Sequence, residues 1–214
     1  MITINNATLK YTKEFCAIRN VSFEVKKGEF VALLGPKDSG KSCIIRLCAG
    51  LEKLTSGEIY IKGIDVNKLD TQNDINIGYI PYKGSFFETK SVYENIQYVL
   101  KVSKEPKQNI ETIINKILID FKIEKLKDVK IKDLSLYERY YVSLARLSYR
   151  PLELLLVDNI FEQLEEKQIK EFLNIIKKSA HATNTTLLIS TSDPKIAEQI
   201  SARVIELNEG VIVK

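Results

Sequence analysis

The chain has 214 residues and nine glycines, yet none of the glycines lies between Gly84 and Gly210. Glycine serves where a backbone must pass close to another chain or a ligand, so the second half is expected to make no such approach. There is a single histidine, His181, and no tryptophan. With so little imidazole, most histidine-based acid–base chemistry is excluded. The three cysteines, Cys16, Cys43 and Cys48, are odd in number and lack metal-ligand spacing. They exclude a disulfide framework and point to free thiols in a reducing compartment. No apolar run approaches the ~20 residues of a membrane span. Met1–Asn5 has neither a basic region nor a long apolar stretch, so no secretory signal is expected. A net charge of +4 is too mild to argue for a nucleic-acid partner, and none is expected.

The remaining composition, 44% hydrophobic and 28% charged, is that of an ordinary globular chain. Its length fits one domain, or one domain with a lobe. The first third alternates β-rich runs with glycine turns: Val21–Val25, Phe30–Leu34, Glu58–Gly63 and Asn76–Ile80. From Ser91 to about Ser148 the periodicity is helical. Val92, Ile96 and Val99 define one helix face, Ile110, Ile113, Ile114 and Ile117 a second, and Pro106 separates them. Between Lys101 and Lys132 stand nine lysines against five acids, an excess equal to the whole chain's net charge of +4. Such a run is a solvated helix face or a lobe facing anionic lipid headgroups. The last third returns to alternation: a strand over Leu152–Val157, a helix from about Glu165 to Lys178, a strand over Thr185–Ser190, a short helix over Pro194–Ile200 and a strand over Arg203–Leu207. Strands alternating with helices predict an α/β fold with a mostly parallel core sheet.

The segment Gly35-Pro36-Lys37-Asp38-Ser39-Gly40-Lys41-Ser42 fits G-x-x-x-x-G-K-[ST] between an apolar strand and a helix that begins near Cys43. In such a loop Gly35 and Gly40 let backbone N–H groups curl around a phosphate, and the helix N-terminus adds a positive dipole. Lys41 reaches the β- and γ-phosphates, and the Ser42 hydroxyl can ligate Mg²⁺. Downstream, Leu154-Leu155-Leu156-Val157-Asp158 is a buried strand ending in an acid, the partner such a loop needs for Mg²⁺.

With these residues the chain resembles an ATP-binding-cassette (ABC) ATPase nearly end to end. Leu134-Ser135, followed by Val142-Ser143-Leu144-Ala145-Arg146, is similar to that family's signature and its helix. Tyr11 lies where the family stacks an aromatic on adenine; it reads equally as a surface tyrosine. Ser91–Ile96 and Arg203–Leu207 look most like the FtsE, LolD and MacB branch. The resemblance implies a P-loop NTPase fold with an N-terminal antiparallel β-subdomain. Residues 1–214 would form a single domain, with 1–84 and 151–214 as the α/β core and 85–150 as a helical subdomain. It implies ATP and Mg²⁺ as cofactors, with Tyr11 and Gly35–Cys43 on the nucleotide and Ser42 and Asp158 on the metal. It also implies an FtsX-like or similar permease subunit, pairing as a homodimer or with another ABC ATPase, and a cytoplasmic place on the inner face of the membrane.

Several positions depart from the family pattern. Tyr82 replaces the glutamine expected after Ile80-Pro81. Leu136-Tyr137 replace two signature glycines, ahead of Glu138. Asn159 replaces the glutamate that polarises the attacking water, and a carboxamide cannot accept that proton. Ser192 replaces the switch histidine, and Glu165 stands for an aspartate. Asp38 adds negative charge beside the phosphates, and Cys43 stands where a hydroxyl is usual. In a head-to-tail dimer each nucleotide lies between one phosphate loop and the partner's signature. Because the base and the signature are both altered on this chain, both sites of any such dimer would be compromised. The sequence therefore predicts an ATP-binding subunit whose hydrolysis is weak or lost. The alternatives are an active ABC ATPase whose missing groups are supplied otherwise, and a scaffold that does not depend on nucleotide.

Overall fold

Two sheets organise the computed structural model, which describes every residue except 13, 70–74 and 201–202. The first sheet is antiparallel, in the order β2-β1-β4-β5, built from β1 (Ile2–Lys10), β2 (Cys16–Val25), β4 (Ser56–Ile61) and β5 (Ile64–Asp65). β1 and the first half of β2 are not apparent from alternation, and pairing explains why. Ile2 and Ile4 point inward, then a register shift between Ile4 and Ala7, with Asn6 at φ 48°, swaps the parity so that Ala7 and Leu9 point inward instead. Such an irregularity erases a period-two signal without breaking the strand.

The second sheet has the order β10-β9-β3-β8-β7-β6, from β3 (Phe30–Leu34), β6 (Ile77–Ile80), β7 (Leu154–Asp158), β8 (Thr186–Thr191), β9 (Arg203–Asn208) and β10 (Val211–Ile212). Only β10 runs antiparallel to its neighbour. The central strands are continuous apolar runs because both faces are covered. On one face Val31, Leu33, Leu154, Leu156 and Leu188 pack with α1 (Lys41–Cys48) and the antiparallel sheet. On the other, Ala32, Leu155, Val157, Leu187 and Ile189 meet α5 (Glu166–Thr183) and α6 (Pro194–Ile200).

The middle of the chain is helical, as its periodicity predicts: α2 (Val92–Val102), α3 (Lys107–Asp120) and α4 (Leu136–Leu147) enclose a third core. The buried stripe of α2 is Val92, Ile96 and Leu100; Val99 sits at its edge, half-buried. Of the nine lysines between 101 and 132, all but Lys127 are exposed, and Lys127 holds its ammonium 5.2 Å from the Tyr93 ring centre. Among the described residues no helix is long and apolar enough to cross a membrane. The segments following β3, β6, β7 and β8 all emerge at the C-terminal edge of the parallel strands, where open α/β sheets bind ligands.

Candidate nucleotide site

β3 delivers the chain into the loop 35–40, and the structure gives its two glycines a second reason. A Cβ on Gly35 would lie 2.1 Å from the Leu207 carbonyl oxygen. One on Gly40, at φ 96°, would lie 2.6 Å from the Ala17 carbonyl oxygen. The chain's own strands approach these points whether or not a phosphate does. Pro36, Lys37 and Asp38 are exposed, Asp38 at φ 63°, and Ser39 is buried. Gly40 caps α1 with no side-chain hydrogen bond, so the first-turn N–H groups face the loop.

Lys41 is buried, and its ammonium donates to the carbonyls of Gly35 (2.8 Å) and Pro36 (2.6 Å) and to Ser39 Oγ (3.2 Å). Burial pulls its pKa below the ordinary lysine value, while Glu162, Asp158 and Asp38 oppose that shift. The Ser42 hydroxyl donates to Asp158 Oδ1 at 2.6 Å, and Ser190 Oγ donates to the same oxygen at 2.9 Å. The charge of Asp158 also acts on Tyr79 of β6; burial first, then that carboxylate, pushes the phenol up to about 12. The sequence reading missed Tyr79, since a tyrosine inside a short strand gives no motif.

Among the described residues no group of three or more His, Cys, Asp or Glu could hold a metal. Ser42 and Asp158 are two hard oxygen donors in contact, which suits Mg²⁺, an ion that takes one or two protein oxygens and fills its shell with phosphate and water.

Tyr11 is half-exposed, but it is not a loose surface tyrosine. Its hydroxyl donates to Glu52 (2.8 Å), accepts from Arg46 (3.2 Å) and lies 3.6 Å from Cys43 Sγ. Burial, followed by the Cys43 and Glu52 hydrogen bonds, raises it to about 12. The Phe15 ring stacks alongside at 6.0 Å and 12°. Tyr11, Phe15, Ala17 and Asp38–Cys43 wall a cavity of about 310 Å³, which places an aromatic ledge beside the phosphate loop. Phe15, Arg46 and Glu52 carry no motif of their own. The Cys43 thiol is buried, and burial raises its pKa, so it is a packing group rather than a nucleophile.

The remaining substituted positions lie outside this loop, on the turns after β6, β7 and β8 and at the start of α4. Tyr82 receives a hydrogen bond from Gln163 Nε2 on its hydroxyl and one from the Tyr140 hydroxyl on its carbonyl. Asn159, at φ 48°, has a buried Oδ1 with no partner. Ser192 Oγ donates to Glu162 at 2.7 Å. The signature segment is turned on itself. Ser135 and Glu138 form a reciprocal cap for α4, with the Ser135 N–H donating to Glu138 at 2.8 Å and the Glu138 N–H to Ser135 Oγ at 3.3 Å. Tyr137 donates to Glu171 of α5 at 2.9 Å and packs on Tyr141. His181 packs at a tilt against Phe30, 4.7 Å between ring centres and 32° between planes.

A glycine-rich loop after a central parallel strand, a buried lysine, and a serine bonded to the acid closing a second strand together define a P-loop nucleotide-binding domain. Residues 18–162 match the family described as ABC transporter, and the chain belongs to that family. It is 32% identical over 212 residues to the sn-glycerol-3-phosphate import ATP-binding protein UgpC of Psychromonas ingrahamii, a match that covers 99% of this chain and 56% of that protein. It is 31% identical over 213 residues to the probable sulfate/thiosulfate import ATP-binding protein CysA of Chlorella vulgaris, covering 100% and 89%. The fold superposes with a TM-score of 0.89, at 25% identity, on a dimeric post-hydrolysis state of the ATP-binding cassette MJ0796 bound to ADP and Pi, covering 100% of this chain and 97% of that one. The chain spans little more than half the length of several curated relatives, including UgpC and a spermidine/putrescine import protein PotA from Legionella pneumophila. These relatives carry importer names rather than those of the FtsE, LolD and MacB branch.

Proposed function

We propose that the chain is the ATP-binding subunit of an ABC-type membrane complex, holding ATP·Mg²⁺ firmly and hydrolysing it slowly or not at all. The observation that carries this reading is the buried Lys41 beside the Ser42–Asp158 pair, on a loop whose surroundings lack the usual hydrolytic groups. The triphosphate would rest on Gly35–Ser42 and the adenine against Tyr11. Mg²⁺, held by Ser42 and Asp158, would neutralise charge on the β- and γ-phosphates. The domain would work as one unit, with residues 85–150 as its helical part. It would sit at the inner face of the membrane through a permease subunit, with contact near Tyr82–Lys101. There Phe87 and Tyr98 are exposed and pack edge to face at 4.6 Å. Import is the direction that the relatives' names suggest; the Ser91–Ile96 motif supports an FtsX-like partner instead, and the permease encoded beside this chain decides between them. Pairing would be with a second copy or with another ABC ATPase.

The test is a titration of a fluorescent ATP analogue, with Mg²⁺, against wild type and Lys41→Ala. The reading predicts saturable binding that the variant weakens roughly 100-fold, the loss of one or two charge-assisted hydrogen bonds. Equal affinity, or no binding to wild type, overturns it. Under the scaffold alternative, ATP·Mg²⁺ would leave the denaturation midpoint unchanged, whereas specific binding must raise it.

A further inference from the structure

We propose that Glu162 is the general base for what ATP hydrolysis this chain performs, supplying from the turn after β7 the carboxylate that position 159 lacks. The proposal rests on the nucleotide-binding reading above and adds the reacting group.

The turn Phe161–Gln163 is a single 3₁₀ turn fixed at three points. Phe161 is buried in the core at 1% exposure. Ser192, just past β8, donates to the Glu162 carboxylate at 2.7 Å. Gln163 reaches the Tyr82 hydroxyl just past β6. Glu162 itself is exposed and open to water. Its partner Ser192 lies two residues past Ser190, which bonds Asp158, so Glu162 lies at the same sheet edge as the Ser42–Asp158 pair, where Lys41 and Lys37 favour its charged form. Asn159 Oδ1 is buried without a donor, so position 159 offers an attacking water no acceptor. Water reaches the exposed Glu162 carboxylate and can give it a hydrogen there.

The departures from the family pattern then fit together. Asn159 no longer deprotonates, Ser192 holds the carboxylate, and Glu162 takes the proton. In the step, the water oxygen's lone pair forms a bond to the γ-phosphorus. The bond between that phosphorus and the β–γ bridging oxygen breaks, and its electrons leave on ADP. The water's O–H proton passes to Glu162, which returns it to solvent or phosphate. The Ser192 hydrogen bond is the largest influence on the Glu162 carboxyl; burial opposes it, and together with the Asn159 carboxamide and the charges of Lys41 and Lys37 that bond holds the group below the usual carboxylate range. A carboxylate held that way is ionised at neutral pH but is a weak base, so the turnover it supports is slow.

The experiment uses the full chain and measures fluorescent-nucleotide affinity and phosphate release at saturating ATP·Mg²⁺ in parallel. Glu162→Gln is expected to lower phosphate release about 100-fold while leaving affinity unchanged or severalfold tighter, since a negative charge near the triphosphate is gone. Ser192→Ala, a positioning change, is expected to lower kcat severalfold with KM unchanged. Glu162→Asp keeps a carboxylate and is expected to retain part of the turnover, which separates lost chemistry from a misfolded turn. Phosphate release by Glu162→Gln at the wild-type rate overturns the proposal. So does a wild type that binds ATP and releases no phosphate, an outcome that leaves the binding reading standing. A wild type that binds no ATP overturns both.

Discussion

The phosphate loop and the rim of turns outside it are held in place by different physics. In the loop, backbone demands dominate: Gly35 faces the Leu207 carbonyl, Gly40 faces the Ala17 carbonyl, and the Lys41 ammonium is satisfied by the loop's own carbonyls. On the rim, Tyr82, Asn159, Glu162, Gln163 and Ser192 are exposed or half-buried, and Gln163 bonds Tyr82 while Ser192 bonds Glu162; Leu136 and Tyr137, at the start of α4, are half-buried too. A rim residue can be exchanged at little cost to the fold, whereas a loop glycine cannot. Survival of Gly35 and Gly40 is therefore as much a statement about folding as about nucleotide. Lys41, Ser42, Asp158 and Tyr11 speak for binding instead, since their side chains offer an ammonium, two oxygen ligands and an aromatic ring at one place.

Substitutions can break or sharpen this contrast. Gly35→Ala should cost about 2–3 kcal/mol of stability, because backbone rather than a flexible side chain must yield. Chemical denaturation without nucleotide measures it, and an unchanged midpoint would remove the folding half of the contrast. Asp158→Ala leaves two donors, Ser42 and Ser190, without their acceptor and should cost about 2 kcal/mol. Its ATP affinity should also cease to depend on Mg²⁺, which titrations with and without the ion would detect. Tyr11→Ala removes the aromatic ledge and should weaken ATP by about 1–2 kcal/mol, roughly tenfold, by analogy with base stacking; a thermal midpoint moving as much as affinity would make Tyr11 a structural residue instead. Tyr137→Phe gives the smallest effect. It deletes one partly exposed hydrogen bond to Glu171, costs less than about 1 kcal/mol and leaves nucleotide affinity alone.

The parallel core was legible in the sequence because β3, β7 and β8 are uninterrupted apolar runs, and the loop was legible because its residues are contiguous. β1 was not, since the register shift near Asn6 reverses which residues face inward. The identities at 82, 136, 137, 159 and 192 were legible as departures, but their partners were not. Tyr137 meets Glu171 across 34 residues, Gln163 meets Tyr82 across 81, and Ser192 meets Glu162 across 30. Glu162 itself stands in plain view three residues after Asn159. A position-by-position reading asks what occupies 159, and only the folded turn shows a carboxylate brought back to the same edge.

The central claim is that nucleotide binding and fast hydrolysis have been separated in this chain. Its most direct test is phosphate release measured on the same sample, at an ATP·Mg²⁺ concentration shown by titration to saturate the site. Against an ordinary kcat of at least about 1 s⁻¹, the account predicts full occupancy with turnover below roughly 0.1 s⁻¹. Turnover of about 1 s⁻¹ or more that disappears in Lys41→Ala would contradict it.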